Sequence, residues 1–402
     1  MNKSKVNLLV LSFHTCPLSK LGTESAGGMN VYILKLSHAL EKLGFSIDIF
    51  TKNHSECSED ITIINSNIRV IHLNTVPDHV TKEDLYEHVV RFQKQLLNYI
   101  HKNKLTYNII HSHYWLSALI GIEISQALDI KNVVTFHTLA EIKNQTYAQE
   151  KESLLRSNKE QEIINTTDSI IVSTYHELDV LIQHHQAEST KVNVVPPGVD
   201  LSLFNPLNKK ESIKRLGIED RPIILYVGRI DPIKGLPILI ESMNYLKSNK
   251  NPKLLVVGDN TAQNDTTKIS LELIKKYELE NNVTFTGPID QTQLPLYYNA
   301  ASLCIIPSHY ESFGLVALEA MACKTTVIGT KVPGLESIIQ DQVNGILVEV
   351  NSPIKLASAI DKLLSNNDLN SRIAENGYNK SKDMTWDLFA LKTSIIYQNL
   401  IR

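Results

Sequence analysis

The sequence predicts an α/β protein built from two Rossmann-like domains, and three observations lead to this prediction. Short runs rich in β-branched residues alternate with longer amphipathic segments along the chain, as in parallel sheets covered by helices. A length of 402 residues exceeds what one hydrophobic core comfortably supports. Pro196-Pro197-Gly198 interrupts the alternation near its middle, and a fresh strand pattern begins at Pro222.

The domain boundaries follow from this break. We expect an N-terminal domain over residues 1–198, a C-terminal domain over residues 199–380 and a terminal segment over residues 381–402. After Met384 this segment has the pattern of an amphipathic helix, because its apolar residues recur near one face at helical spacing. Those residues are Trp386, Phe389, Ala390, Ile396 and Leu400.

The predicted strands are short apolar runs bounded by turn residues. In the first half of the chain they are Val6–Phe13, Ser46–Phe50, Ile68–Leu73, Asn108–His111, Asn132–Phe136, Ser169–Val172 and Lys191–Val195. In the second half they are Pro222–Val227, Lys253–Val257, Asn282–Phe285, Ser302–Ile306, Thr325–Ile328 and Gly345–Val348. Helical patterns cover Met29–Leu43, which Gly44 ends, Lys82–Lys102 and Pro353–Leu364.

Composition excludes several classes of protein. A net charge of −3 argues against a broad polyanion-binding surface, so we expect no nucleic-acid partner. The apolar run Val6–Leu11 is too short for a signal peptide, and no run approaches the ~18 apolar residues of a membrane-spanning helix. No CxxC motif or metal-ligand spacing occurs among the cysteines, so we expect reduced thiols, no zinc site and a cytoplasmic location. The cysteines are Cys16, Cys57, Cys304 and Cys323.

The first candidate site is the loop after the first predicted strand. It begins at His14, and Gly27-Gly28 opens the following helix. Glycine at a helix start lets a ligand approach backbone N–H groups, and the helix dipole favours an anion there. A tight turn without a ligand remains an equal alternative for this glycine pair.

The second candidate site pairs two cations. Arg229 follows a predicted strand, Lys234 lies in the same loop, and Gly235 precedes a helix. Both cations should therefore lie at the carboxyl edge of the sheet, where open α/β folds bind ligands. Such a pair suits a diphosphate, whose leaving charge needs stabilisation in the transition state. The alternative is two solvated surface cations.

The third candidate site places two carboxylates around a helix start. The string runs from Pro307 through Glu311 and Phe313-Gly314-Leu315 to Glu319. The first N–H groups of the helix are available to a sugar hydroxyl or a phosphate oxygen. The carboxylates can accept hydrogen bonds, Glu319 from a ribose diol and Glu311 from a sugar hydroxyl. The alternative is a helix-dipole residue and a solvated helix face.

These sites, in this order along the chain, resemble the family 4 retaining glycosyltransferases of the GT-B fold. That fold sets two Rossmann-like domains face to face across a cleft, and the resemblance implies a UDP-sugar co-substrate and no other cofactor. The catalytic residues that it implies are Arg229, Lys234, Glu311 and His137. The donor-binding residues that it implies are Gly28, Arg229, Lys234, Glu311, Phe313, Gly314, Leu315 and Glu319.

Within the family, four strings are similar to the branch that joins N-acetylglucosamine to an inositol phosphate. They are His14-Thr15-Cys16-Pro17-Leu18, Ala26-Gly27-Gly28-Met29-Asn30-Val31-Tyr32, His111-Ser112-His113-Tyr114-Trp115-Leu116-Ser117 and His137-Thr138-Leu139-Ala140. The resemblance implies a small phosphorylated acceptor such as inositol 3-phosphate. The acceptor residues that it implies are His14, Asn30, Lys82, Tyr114, Thr138 and Arg156. A solvated helix face is the alternative for Lys82 and Arg156.

The resemblance also implies a chemistry and leaves alternatives open. It implies retention of anomeric configuration without a protein nucleophile. Because the sequence has no DxD motif, we expect transfer that needs no metal ion, with Arg229 and Lys234 supplying the positive charge instead. The terminal helix is expected to cross back to the N-terminal domain, or else to be a plain core helix. Other acceptors are an aminocyclitol or, as in the sucrose-phosphate synthase-like branch, a sugar phosphate. A non-catalytic sugar-nucleotide sensor is the alternative outside enzymes, and a homodimer is possible.

Overall fold

The chain divides into two units, each built around one β-sheet. The computed structural model describes residues 5–19, 27–54, 59–77, 80, 84–146, 152–247, 250–259 and 265–402. Unit 1 comprises Met1–Ser19, Gly28–Pro196 and Trp386–Arg402, and unit 2 comprises Lys20–Gly27 and Pro197–Thr385. Lys82 and Cys57 lie outside the described residues.

Unit 1 contains a sheet with the strand order β3-β4-β2-β1-β5-β6-β7-β8. Its strands are β1 (Val6–Leu11), β2 (Phe45–Lys52), β3 (Ile61–Asn65), β4 (Ile68–Leu73), β5 (Ile109–His113), β6 (Lys131–Thr135), β7 (Ser169–Val172) and β8 (Val192–Val194). All neighbouring strands run parallel except the edge strand β3, which is antiparallel to β4. Strands β5 and β7 are buried along their length and β1 is buried from Leu8 to Leu11, which explains why they appear in the sequence as largely apolar runs.

Helices follow the strands of unit 1 in the order that a parallel sheet requires. They are α1 (Gly28–Lys42), α2 (Val89–Lys102), α3 (Trp115–Leu128), α4 (Ala140–Thr146), α5 (Leu154–Thr166) and α6 (Tyr175–Gln183). Side chains fix several helix starts: Ser153 accepts a hydrogen bond from Arg156 N, and Thr174 accepts one from Glu177 N. The predicted helix Lys82–Lys102 is wrong at its start, because a 3₁₀ turn, Asp84–His88, precedes α2.

Unit 2 contains a parallel sheet with the order β11-β10-β9-β12-β13-β14. Its strands are β9 (Ile223–Val227), β10 (Lys253–Val257), β11 (Val283–Gly287), β12 (Leu303–Ile306), β13 (Thr326–Thr330) and β14 (Ile346–Val348). Its helices are α7 (Lys209–Leu216), α8 (Leu236–Asn244), α9 (Asp265–Lys276), α10 (Leu294–Ala300), α11 (Leu315–Ala322), α12 (Pro333–Glu336), α13 (Pro353–Ser365) and α14 (Asn367–Lys382). Both faces of the sheet are covered by buried apolar side chains. The parallel sheets of the two units confirm the predicted α/β class.

The last helix, α15 (Trp386–Ile401), belongs to unit 1 and packs against α1. Tyr32 of α1 meets Trp386 and Phe389 edge to face, with ring centroids 5.9 and 5.2 Å apart. Further along α15, the hydroxyl of Tyr397 lies 2.6 Å from His111 Nδ1 on β5. The terminal segment is therefore anchored both to a helix and to the sheet of unit 1.

The edge strand β3 is absent from the sequence prediction. Ile61 and Ile63 are exposed, Ile63 with 72% of its surface open to solvent, and the other residues of the strand are half-buried. Among the helices in the described part of the chain, none combines the length and the hydrophobicity needed to span a membrane.

Candidate active site

The carboxyl edge of the unit 2 sheet brings two loops together. Strands β9 and β12 pair in parallel, so the loop after Val227 and the loop after Ile306 emerge side by side. The first loop carries Arg229 and Lys234, and the second carries Glu311. Open α/β sheets bind ligands at this edge, and the two loops therefore form the candidate donor site.

A network of short contacts shapes the cationic loop. Asp231 accepts a hydrogen bond from Ile233 N at 2.9 Å, and its other oxygen lies 3.5 Å from Arg229 Nη2. The hydroxyl of Tyr226 donates to the carbonyl oxygen of Arg229 at 2.8 Å. Gly235 has φ +68°, and a Cβ there would lie 2.1 Å from the carbonyl oxygen of Pro307. Only glycine therefore lets the two loops pack this closely.

Lys234 and Glu311 form an ion pair across the two loops. Lys234 Nζ lies 2.6 Å from Glu311 Oε1, and the Ser308 hydroxyl donates to the same oxygen at 2.9 Å. The backbone N–H of His309 donates to the carbonyl of Ile233 at 2.8 Å, which fastens the loops a second time. The side chains of Lys234 and Glu311 are 24% and 14% exposed, so water screens this pair less than a surface pair. The pair thus links the loop after β9 to the loop after β12.

Glu319 has a different environment. It lies one turn inside α11, which starts directly after Gly314. The φ of Gly314 is +100°, a backbone conformation that favours glycine. The Tyr298 hydroxyl donates to Glu319 Oε2 at 2.8 Å, and Gln291 Nε2 lies 3.4 Å from Oε1. With 8% of its surface exposed, Glu319 is not on a solvated helix face. Its carboxylate is held in one orientation, and Phe313 just before the helix is buried.

The carboxyl edge of the unit 1 sheet assembles most of the predicted acceptor residues. His14 follows β1, Tyr114 follows β5, and His137 and Thr138 follow β6. The rings of His14 and Tyr114 have centroids 4.2 Å apart, and the Arg156 guanidinium lies 5.0 Å above the Tyr114 ring. These five residues therefore form one patch.

Arg156 is the centre of a buried ion-pair network. Its Nε donates to Glu160 at 2.7 Å, its Nη1 lies 3.0 Å from Glu152, and its Nη2 donates to the carbonyl and hydroxyl oxygens of Thr138 at 2.7 and 3.0 Å. Its side chain is 2% exposed, so the alternative of a solvated helix face is wrong for Arg156. Two carboxylates already engage this guanidinium, which makes it a positioning group for Thr138 as well as a cation.

Asn30 lies buried on α1 and is held by the loop after β1. Its amide nitrogen donates to Thr15 Oγ1 at 3.1 Å and to the carbonyl oxygen of Cys16 at 2.6 Å. Gly28 is the first residue of α1. Asn30 therefore fixes the path of the loop that carries His14.

His137 has an unusual backbone conformation and is half-buried. Its φ is +61°, a left-handed conformation that is uncommon outside glycine and concentrates at functional sites. Its Nε2 lies 3.0 Å from Nδ1 of His113, and Tyr32 contacts it edge to face at 4.8 Å between ring centroids. Burial lowers the pKa of His137 to about 3, so this imidazole is neutral at physiological pH.

Known proteins match this chain over nearly its whole length. A family model described as "Glycosyltransferase Family 4" matches residues 26–203, and one described as "Glycosyl transferases group 1" matches residues 208–380. D-inositol 3-phosphate glycosyltransferase from Xylanimonas cellulosilytica is 32% identical over 96% of this chain and 95% of its own. The enzyme of the same name from Corynebacterium glutamicum is 32% identical over 98% and 97%. The chain belongs to the family 4 glycosyltransferases.

Solved structures agree with this assignment. Sucrose-phosphate synthase from Thermosynechococcus elongatus matches this glycosyltransferase with a TM-score of 0.91 and 31% identity, over 98% of this chain and 99% of the other. A glycosyltransferase from Rickettsia africae matches with a TM-score of 0.75 at 20% identity, over 100% of both chains, which shows the fold alone. The two Rossmann-like units are those of the GT-B fold, as the sequence predicts.

Several residues of the glycosyltransferase site were not singled out from the sequence. His113 contacts His137, Tyr298 and Gln291 hold Glu319, and Glu160 pairs with Arg156. His113 carried a signal, because it stands in one of the strings that resemble the family, and Glu160 carried another, because it stands four residues after Arg156 in the same helix. Tyr298 and Gln291 contact Glu319 from other parts of the chain, and no local pattern marks them.

Proposed function

We propose that this glycosyltransferase moves N-acetylglucosamine from UDP-N-acetylglucosamine to a cyclitol phosphate such as inositol 3-phosphate. The observation that carries the proposal is the full-length similarity to enzymes named D-inositol 3-phosphate glycosyltransferase. The acceptor patch of unit 1 supports it, since it combines a guanidinium, hydroxyls and an imidazole, which suit a phosphorylated polyol.

The donor is proposed to bind unit 2. Arg229 and Lys234 bind the diphosphate, the N–H groups of Phe313, Gly314 and Leu315 bind its oxygens, and Glu319 accepts from the ribose diol. Glu311 accepts from a hydroxyl of the transferred sugar. Lys234 has three N–H donors, so it can keep one on Glu311 and direct others to phosphate. The contribution of Gly28, at the start of α1, remains a prediction.

The acceptor is proposed to bind unit 1. Thr138 Oγ1 accepts from Arg156, which leaves the threonine hydroxyl hydrogen to donate to a phosphate oxygen. The Tyr114 hydroxyl, Arg156 and Lys82 add further donors, and charge-assisted bonds of this kind contribute roughly 1.5–3 kcal/mol each. His14 and Asn30 lie on the side proposed for the cyclitol ring.

The proposed chemistry is transfer with retention. The bond between the sugar C1 and the β-phosphate oxygen breaks, and a bond from C1 to the acceptor oxygen forms on the same face. The acceptor proton passes to the departing phosphate, so no protein nucleophile is needed. Arg229 and Lys234 stabilise the charge that develops on UDP, as a metal ion does in other transferases. Neutral His137 is suited to hydrogen bonding with the sugar rather than to carrying a charge.

A sugar phosphate is the second candidate acceptor. Sucrose-phosphate synthase is 31% identical over nearly the full chain, against 32% for the inositol phosphate enzymes, so identity does not separate the two branches. An aminocyclitol acceptor, a role as sugar-nucleotide sensor, a homodimeric state and a cytoplasmic location remain predictions.

A donor-by-acceptor screen tests the proposal. UDP release is measured with UDP-N-acetylglucosamine and UDP-glucose, each with inositol 3-phosphate, fructose 6-phosphate and 2-deoxystreptamine. We expect the highest turnover with UDP-N-acetylglucosamine and inositol 3-phosphate. A chelator should not abolish this turnover, and the anomeric proton coupling of the product should show retention. Preferred transfer to fructose 6-phosphate would favour the second candidate, and UDP release that needs no acceptor would contradict both.

A further inference from the structure

Three side chains able to bind a metal converge at the carboxyl edge of the unit 1 sheet. Cys16 follows β1, His54 follows β2, and His72 lies near the end of β4. These strands are neighbours in the order β4-β2-β1 and run parallel, so their carboxyl ends meet. One ligand atom from each residue lies within 4.8 Å of the other two.

The distance between Cys16 and His72 is close to that between two ligands of one ion. Cys16 Sγ lies 3.2 Å from His72 Nε2. Zinc–sulfur and zinc–nitrogen bonds of about 2.3 and 2.0–2.1 Å at a tetrahedral angle place sulfur and nitrogen roughly 3.5 Å apart. The His54 ring stands near His72 with centroids 5.7 Å apart at 71°. Lengthening the Sγ–Nε2 distance by a few tenths of an ångström would fit the ion between Cys16 and His72, and the His54 side chain, whose ligand atom lies within 4.8 Å of theirs, would turn toward it.

The ligand set selects a class of metal. We propose that Cys16, His54 and His72 form a binding site for a thiophilic divalent ion of the zinc class. One thiolate and two imidazoles suit this class, whereas magnesium and calcium prefer oxygen ligands. On binding, the Cys16 thiol gives its proton to solvent, and the fourth position is left to water. Cys16 and His72 are buried and His54 is half-buried, so His54 provides the side from which an ion enters.

The site is tied to the loop beside the acceptor patch. The carbonyl oxygen of Cys16 accepts from the Asn30 amide, and the carbonyl of Thr15 accepts from the Ser12 hydroxyl at 2.6 Å. A metal bound to Cys16 would fasten this loop at a further point, next to His14. This link to the acceptor rests on the proposed function, whereas metal binding itself does not. The proposed ion has no part in the transfer step, so it does not alter the proposal of metal-independent transfer.

Cobalt substitution tests the site in the full chain without any substrate. Co²⁺ titrated into the chelator-treated protein is expected to bind at one equivalent, with a thiolate-to-cobalt absorption in the near ultraviolet and intense visible bands of tetrahedral geometry. Zn²⁺ should displace it. Cys16→Ser should abolish the thiolate absorption. His54→Gln and His72→Gln should each weaken cobalt binding more than about tenfold, because loss of a residue that only contacts a metal ligand already costs about that much.

Matched controls separate this site from other thiols and histidines. Cys323→Ser removes a buried cysteine of unit 2, and His176→Gln removes an exposed histidine of unit 1; both should titrate like the unchanged chain. Absence of the thiolate absorption, or its persistence in Cys16→Ser, would overturn the proposal. If Cys16→Ser fails to fold, His54→Gln decides, because this half-buried side chain can be changed with the least disturbance, and unaltered cobalt affinity there would reject the site.

Discussion

Replacing Lys234 with methionine tests how the ion pair between Lys234 and Glu311 contributes to binding of the UDP-sugar. Methionine keeps much of the length of the side chain and removes its charge. Lys234 Nζ lies 2.6 Å from Glu311 Oε1, so the substitution has two effects on a bound diphosphate. It removes a cation, and it leaves a carboxylate without its counter-charge near the phosphate oxygens.

The expected loss can be sized from the burial of the pair. Both side chains are less than one-third exposed, at 24% and 14%, so solvent screening is moderate. A hydrogen bond to a charged group contributes about 1.5–3 kcal/mol, which corresponds to roughly 10- to 150-fold in affinity for UDP. Repulsion from the unpaired Glu311 adds to this loss. Glu311→Gln should leave the affinity for UDP unchanged or raise it. Turnover should fall in this variant, because the hydroxyl of the transferred sugar loses its hydrogen-bond acceptor.

Titration calorimetry with UDP measures both variants and their combination. We expect Lys234→Met to weaken UDP, and Glu311→Gln in that background to recover part of the loss. This partial recovery would show that the carboxylate and the diphosphate compete for the same cation. Wild-type affinity in Lys234→Met, or equal weakening in Lys234→Met and Glu311→Gln, would refute the reasoning.

Three further predictions concern polar side chains of the two candidate sites, namely His137, Arg156 and Tyr298. The pKa of His137 is lowered to about 3, so the folded chain binds fewer protons than the unfolded chain between about pH 3 and 6.5. The stability that this difference contributes is present above pH 6.5 and is lost as the pH falls, so acid titration of unfolding should be less steep in His137→Gln. Arg156→Ala should lower the free energy of unfolding by about 3–5 kcal/mol in urea, because Glu160 stays buried without its partner. Tyr298→Phe should destabilise the chain by about 1.5–3 kcal/mol and weaken UDP several-fold, as Glu319 loses its 2.8 Å hydrogen bond, measured by denaturation and calorimetry.

Much of the fold could be predicted because parallel strands are buried on both faces. Runs such as Val6–Leu11 and Lys253–Val257 appear as uninterrupted apolar segments, and the structure places strands there. The edge strand Ile61–Asn65 escaped prediction because it is exposed and owes its pairing to a non-local neighbour. The helix before Lys102 was placed too early, since charged residues at helical spacing continue into a 3₁₀ turn.

The candidate sites could also be predicted only where the order of the strands places their residues. Arg229, Lys234 and Glu311 stand in loops after strands, so their meeting follows from the topology of a parallel sheet. The two carboxylates around Arg156 stand four residues before and after it, so their pairing is compatible with helical spacing, but its burial is not visible in the sequence. The convergence of Cys16 with two histidines depends on side chains from three separate strands and their loops. Linear spacing carries no trace of this convergence, which is why the cysteine pattern predicted no metal site.

The most direct test of the account is UDP calorimetry on two arginine variants at opposite ends of strand β9. Arg229 follows the carboxyl end, while Arg221 precedes the amino end and donates to the carbonyl of Asn281 at 2.8 Å. The account predicts that UDP binds the unchanged chain, that Arg229→Ala weakens it at least about tenfold by loss of a charged hydrogen bond, and that Arg221→Ala leaves it unchanged. No detectable binding of UDP, or equal weakening in both variants, would contradict a sugar-nucleotide site at this edge of the sheet.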